Sequence, residues 1–404
     1  MIGASSRPLS VRQMTDLTAL ANFDIEMLNR VLLSPLPDGD WCGIDPFGSL
    51  MIWDYDMAVA ALEHPDLWAP TVEETSLGMI TDGPALEWSR LISSFTDGPV
   101  QRHQRAAMAP AFMRTAIEPL RPMVAEVAAG LVGRLGPEPE LVTELAWQYP
   151  QEVFAQVLGA DPGQLAELTD DVAVLTRLWG YTSGEVKTEI DAAVVKLDSL
   201  ASELRACPFG MVERIEQIDL DEAQRQALVM QLVVSGWETT AAQTANLLWL
   251  LAADAGRWSS LTDGTPAVAV ALEAIRMEPS ATATVRLAHV DTVLGDVAIP
   301  AGTRVIPSFV WASRDPSVYV RPDDWLPRRW TTAEPPRGPI AFGSGRHRCL
   351  GERLALMELE EMVLALGQVG PTGGWDVVGE TEWSGIGRPH RPLTLRVRER
   401  QGRS

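Results

Sequence analysis

Cys349 lies in the segment FGSGRHRCLGERLAL, Phe342 to Leu356, with Gly343, Gly345 and Gly351 around it. Beyond it Leu350, Leu354 and Met357 recur at helical spacing, and Leu356, Leu359, Val363 and Leu366 cover another side. A largely buried helix is therefore expected to begin near the cysteine. At a helix start the free backbone N–H groups and the positive dipole end favour a thiolate, the form of cysteine that attacks electrophiles and binds metals. The glycines permit unusual backbone angles and let the loop approach a flat cofactor. The competing reading is a small buried thiol after a glycine-rich turn.

A second constellation is SGWETT, Ser235 to Thr240, inside an apolar pattern that includes Leu228, Leu232, Val233, Leu247, Leu248 and Leu250. The pattern predicts one long helix. Gly236, Thr239 and Thr240 share a face by their i, i+3, i+4 spacing, and that face has room for a small ligand beside a threonine hydroxyl. The alternative is a packing glycine with threonines bonded back to their own helix. Trp237 is expected in the core. A third pair, Glu273 and Arg276 of EAIR, meets on one helix face, where taken alone such a pair is usually a solvated surface pair.

Together these strings resemble the cytochrome P450 superfamily. Phe342, Gly343, Gly345, His347, Cys349 and Gly351 stand at the spacing of that family's cysteine-loop signature, SGWETT resembles its acid-threonine motif, and EAIR its Glu-x-x-Arg motif. The resemblance implies a mainly α fold with a smaller β portion, in which haem b (iron protoporphyrin IX) lies between a long central helix and the cysteine loop. It further implies that Cys349 is the axial iron ligand and that Phe342, Gly343, Gly345, Gly351 and Gly236 border the haem. Thr239 would support bound dioxygen and Glu238 would relay protons. Glu273, Arg276 and Arg329, the last from PDDWLPRRW, would form a structural network that holds the loop.

The same resemblance assigns haem-propionate contacts to His347, Arg286 and Arg105. Gln101 departs from the family pattern, where histidine is common, but an amide still donates a hydrogen bond. His103 is two residues out of register and reads as a surface histidine. The implied activity is a monooxygenase acting on a small organic substrate in bacterial secondary metabolism or catabolism. Oxidative coupling or desaturation on the same iron, or a non-catalytic haem sensor, are the alternatives. Pocket residues are expected from Val72 to Trp88, Thr176 to Val186, Ala281 to Val285 and Trp383 to Arg388, with Ala281, Thr282, Ala283 and Thr284 leaving room over the haem. A ferredoxin and its reductase are implied as electron donors, steered by Arg346, Arg348 and Arg353.

The elements that must position these groups are also legible. Helical periodicity dominates from about Ala116, strand signals appear near Leu50 to Trp53 and again in the last third, and Gly136-Pro137 and Gly264 to Pro266 punctuate helices. No linker separates two halves, so a single haem-thiolate domain over residues 1–404 is expected. With 54 acidic against 33 basic side chains the formal charge is −21, which disfavours a dedicated nucleic-acid surface. Three cysteines, Cys42, Cys207 and Cys349, are too few for a disulfide scaffold or a four-cysteine iron-sulfur cluster. The opening MIGASSRPLSVRQMTDLTAL lacks the apolar core of a secretion signal, and no apolar run reaches the length of a membrane span. A cytoplasmic enzyme without membrane attachment is the resulting expectation.

Overall fold

The computed structural model describes residues 41–44, 48–76, 80–179, 186–384 and 389–400. The chain forms two compact units that are interleaved in sequence. Unit one takes its residues from the stretches up to Pro70, Ala281–Asp324 and Pro336–Cys349, and unit two from Thr71–Ser280, Trp325–Pro335 and Leu350 onward.

Unit one carries the β portion. Its main sheet has the order β1-β2-β7-β4-β3, built from β1 (Cys42–Ile44), β2 (Leu50–Ile52), β3 (Leu67–Trp68), β4 (Arg286–Ala288) and β7 (Arg304–Pro307). A separate hairpin pairs β5 (Thr292–Leu294) with β6 (Val297–Ile299). In the main sheet only the β2–β7 pair is parallel, with Leu50 opposite Val305 and Ile52 opposite Pro307. Strand pairs this far apart in sequence explain why periodicity finds individual strands and cannot show how they associate. Leu50, Ile52 and Val305 are buried, so β2 contributes alternate residues to the core. Helix α1 (Tyr55–Glu63) follows directly; the Asp54 carboxylate caps it by accepting from the Met57 amide at 2.8 Å. Asp315 accepts from the Tyr55 amide at 2.9 Å and so ties the helix start to the later part of the unit.

Unit two is helical apart from the hairpin of β8 (Trp375–Val377) and β9 (Val397–Glu399). Its helices of eight or more residues are α2 (Gly98–Met108), α3 (Arg121–Arg134), α4 (Gln148–Leu158), α5 (Lys187–Ala206), α6 (Glu222–Ala252), α7 (Ala267–Met277) and α8 (Glu352–Val369). The punctuation at Gly136-Pro137 and Gly264 to Pro266 falls where α3 has ended and just before α7 begins.

The predicted long helix is α6, 31 residues, or about 46 Å at 1.5 Å per residue. Asp221 and Gln224 close a capping box at its start, with the Gln224 amide donating to Asp221 at 2.8 Å. Leu228, Leu232, Val233, Leu247, Leu248 and Leu250 are all buried, and so are residues on the other faces, including Met230, Trp237 and Asn246. A helix buried nearly all round needs neighbours on every side. Helix α8 buries Leu354, Met357, Leu359, Val363 and Leu366. Leu356 departs from the expected pattern: with Arg114, Arg121 and Arg353 it lines a cavity of about 230 Å³. Among the described residues no helix is long and apolar enough to cross a membrane.

Candidate functional site

The cysteine loop of unit one is fixed by its own backbone and by two side chains. The Cys349 amide donates to the Phe342 carbonyl at 2.9 Å, and the Arg348 amide to Gly345 at 3.1 Å. Gly343 and Gly345 have φ of 71° and 65°, the left-handed region that costs other residues about 1–2 kcal/mol. At Gly345 a side chain would also be crowded, since a Cβ would lie 3.0 Å from the Leu62 carbonyl oxygen. Gly351 does not share this role. Its φ is −78°, and it stands as the residue before α8, its carbonyl accepting from Ala355 at 3.0 Å.

Two side chains strap the loop to the end of α1 and to β3. Ser344 donates to Glu63 at 2.5 Å, and the Arg346 guanidinium donates to the carbonyls of His64, at 2.8 Å, and Leu67. Arg346, expected with Arg348 and Arg353 to form a local basic patch, thus bonds two neutral carbonyls and keeps its charge. Arg348 is exposed, and so is the Cys349 thiol. His347 is half-buried. Arg286 on β4 is buried and donates to the Val285 carbonyl at 2.9 Å and to the Thr284 hydroxyl at 3.3 Å. The run Ala281 to Val285 is half-buried and held by the amides of Phe309 and Val310, both donating to the Thr282 carbonyl.

A thiol presented in this way is a single ligand. Among the described residues no three His, Cys, Asp or Glu side chains gather as a metal site. A macrocycle that fills four positions and leaves one axial place to a thiolate suits a single ligand.

In unit two, Glu238 is buried on α6 and Thr239 is exposed. The Thr239 hydroxyl donates to the Ser235 carbonyl at 3.1 Å, and Thr240 does the same to Gly236 at 3.1 Å, so both threonines bond back to their helix. Gly236 was expected to border the cofactor. The direction its side chain would take is filled by Phe154 of α4, whose ring lies 2.0 Å from a Cβ built there, so helix packing alone already demands glycine. Gly236→Ala is therefore expected to lower stability by about 1–3 kcal/mol. Adding Phe154→Leu should recover part of that loss in a denaturation-based double-mutant cycle; simple additivity would contradict the contact.

The sequence pair Glu273 and Arg276 proves to be the centre of a buried network. Both side chains are fully buried on α7, with Arg276 Nη2 donating to Glu273 Oε1 at 2.8 Å and Nε to Oε2 at 3.0 Å. Arg329 Nε joins at 3.2 Å, as its position in PDDWLPRRW suggested. Two further donors had no sequence signal beyond lying in that segment: the Leu326 amide at 2.9 Å and Trp330 Nε1 at 2.9 Å. Burial alone would raise the Glu273 carboxyl, but the hydrogen bonds and charges of Arg276 and its neighbours outweigh it and hold the group below the ordinary glutamate range.

On α2, Gln101 is buried and Arg105 half-buried, one turn apart on the same face. His103 is exposed and bonds the Asp219 carbonyl at 2.8 Å. Of the segments expected to line a pocket, residues 77–79, 180–185 and 385–388 lie outside the described residues.

Comparison with known proteins bears on what this set of groups is for. A family model described as Cytochrome P450 matches residues 266–367, which include the Glu273 network and the whole cysteine loop. The chain is 30% identical over 281 residues to nocardicin C N-oxygenase of Nocardia uniformis subsp. tsuyamanensis, covering 67% of this chain and 69% of that one. It is 30% identical over 278 residues to beta-dihydromenaquinone-9 omega-hydroxylase of Mycobacterium bovis, covering 65% of this chain and 56% of that one. Among solved structures, CalO2 superposes with a TM-score of 0.82 at 20% identity, over 95% of this chain and 98% of that one, a likeness of fold.

Proposed function

The chain belongs to the cytochrome P450 family, and we propose that it is a haem-thiolate monooxygenase in which the whole of residues 1–404 works as one catalytic domain. The reaction inserts one oxygen atom of dioxygen into a small organic molecule. Similarity to nocardicin C N-oxygenase favours bacterial secondary metabolism as the setting. The observation that carries the reading is the exposed Cys349 thiol on a loop locked by Gly343, Gly345 and Arg346.

In this reading Cys349 would supply the thiolate that holds the haem iron, and His347, Arg286, Arg105 and Gln101 would hold the propionates. Haem, when bound, would supply dioxygen activation, which a thiolate ligand favours. The chain's own part is to hold the cofactor still and to deliver protons. Glu238 stores a proton on its buried carboxyl. Thr239 passes it on through Oγ1, exchanging its bond to the Ser235 carbonyl for one to the reacting group. Glu273, Arg276 and Arg329 keep the frame.

Electrons come from a ferredoxin and its reductase in the cytoplasm. Arg346, Arg348 and Arg353 lie close together in the cysteine-loop segment, and Arg348 and Arg353 are exposed, where their charge would meet an acidic donor. Proton delivery by a positioned side chain contributes about 10²–10⁴-fold. Thr239→Ala is thus expected to divert reducing equivalents to hydrogen peroxide while leaving the carbon monoxide spectrum intact. Peroxide formed per NADPH consumed, with a surrogate ferredoxin system, measures it; an unchanged ratio would remove Thr239 from the mechanism.

A further inference from the structure

Helix α6 opens along one strip. From Ala227 to Leu248 every residue is buried except Gln231, Ser235, Gly236 and Thr239. Gln231, Ser235 and Thr239 follow at four-residue intervals and so run along one side of the helix. Gln231 lies two turns before Thr239, about 12 Å along the axis. It was not singled out in the sequence, although a glutamine inside the run from Leu228 to Val234 is out of place.

Its surroundings combine one polar pair with large rings. Gln231 Nε2 donates to the Ser94 hydroxyl at 2.7 Å, whereas Gln231 Oε1 is buried and accepts nothing among the described residues. Phe95, next to Ser94, packs on Trp179 at 5.0 Å between ring centres, and Trp179 meets Trp88 edge-on at 6.3 Å. Trp88 Nε1 in turn donates to the Ala227 carbonyl at 3.2 Å, one turn before Gln231. These contacts run from α6 through the three rings and back to α6, beside an acceptor that still needs a donor. Buried polar atoms in folded proteins are nearly always paired, so an orphan beside this strip calls for a partner other than the described residues.

We infer that Gln231 and Ser94 are a specificity-determining pair that anchors a hydroxyl group on a ring-containing, otherwise apolar substrate, with the oxidised position toward Thr239. The inference rests on the proposed function and names its substrate class. A hydroxyl donates to Gln231 Oε1 and accepts from the Ser94 O–H, filling both open roles at once. Reversing the amide exchanges the two directions and leaves a hydroxyl equally suited. The spacing of about 12 Å on the helix means that anchor and reaction centre lie at opposite ends of the substrate.

The test compares 4-phenylphenol with biphenyl on the purified holoprotein, by Soret shift and by quenching of tryptophan fluorescence. The wild type should bind the hydroxylated probe roughly tenfold more tightly, a difference within reach of one buried hydrogen-bonding pair. Gln231→Leu should bind the two probes equally, and Ser94→Ala should reduce the preference severalfold. Equal binding by the wild type, no binding of 4-phenylphenol, or a preference that survives in both variants would overturn the inference. The reduced carbon monoxide spectrum of the same samples reports the haem-thiolate reading separately. A protein without the thiolate band that keeps the fluorescence preference would retain the anchor and lose the proposed function.

Discussion

Glu273→Gln is expected to destabilise the protein by about 3–5 kcal/mol, because it strands the charge of a fully buried arginine. Against a typical total of about 5–15 kcal/mol, that loss removes much of the folded population or leaves a protein that melts early. The geometry explains why the amide cannot substitute. Glu273 accepts from Arg276, Arg329, Trp330 and the Leu326 amide, and every lone-pair site of the carboxylate is in use. Glutamine offers one accepting oxygen and turns an NH₂ group toward donors. The ion pair Arg398–Glu138 is the internal control: both side chains are 60% exposed, and Glu138→Gln should change stability by less than about 1 kcal/mol.

The same network sets a pH dependence with a definite sign. A carboxyl held below its ordinary range contributes stability above that range and loses it as pH falls through the lowered folded value. The wild type should therefore weaken toward acid more steeply than Glu273→Gln, so that the gap between them narrows. Urea midpoints at neutral pH and at successively lower pH measure both effects. A neutral-pH difference below about 1 kcal/mol, or a gap that widens in acid, would contradict the buried network.

How much of this was legible in sequence depends on whether the determinant is local. The long helix could be read because its apolar pattern is continuous from Leu228 to Leu250, and β2 because Leu50 to Ile52 is a short apolar run at the position observed. The Glu273–Arg276 pair followed from i, i+3 spacing, and Arg329 from family resemblance. Trp330 and the Leu326 amide were hidden because a backbone donor and a core tryptophan carry no mark of their partner. Phe154 beside Gly236 was hidden for a related reason. A helical glycine signals that something approaches closely, but not whether it is a cofactor or Phe154. Arg346 looked like surface charge until the carbonyls of His64 and Leu67, about 280 residues earlier, were seen to receive it. The interleaving of two units was equally invisible, since it depends on strands such as β2 and β7 pairing across more than half the chain.

Cys349→Ser carries the largest spectroscopic consequence. The exposed thiol is the group offered at the end of the locked loop, and among the described residues no neighbouring cluster of ligands can replace it. The loop should survive the change, because the Cys349 and Arg348 amides, the Arg346 guanidinium and the Ser344 hydroxyl all hold it. The variant is therefore expected to fold with nearly unchanged stability while losing the thiolate signature and, with it, monooxygenase turnover. A change in circular dichroism as large as the spectral change would mean that the residue is structural. An unchanged carbonyl spectrum in Cys349→Ser would mean that another residue binds the iron.

The central claim, a haem held by one cysteine thiolate, is tested most directly by the carbon monoxide difference spectrum of the dithionite-reduced wild-type protein. The prediction is a Soret band shifted strongly to the red, as thiolate ligation produces, in the intact purified protein. Absence of haem, or a carbonyl band at the position given by histidine ligation, would contradict it.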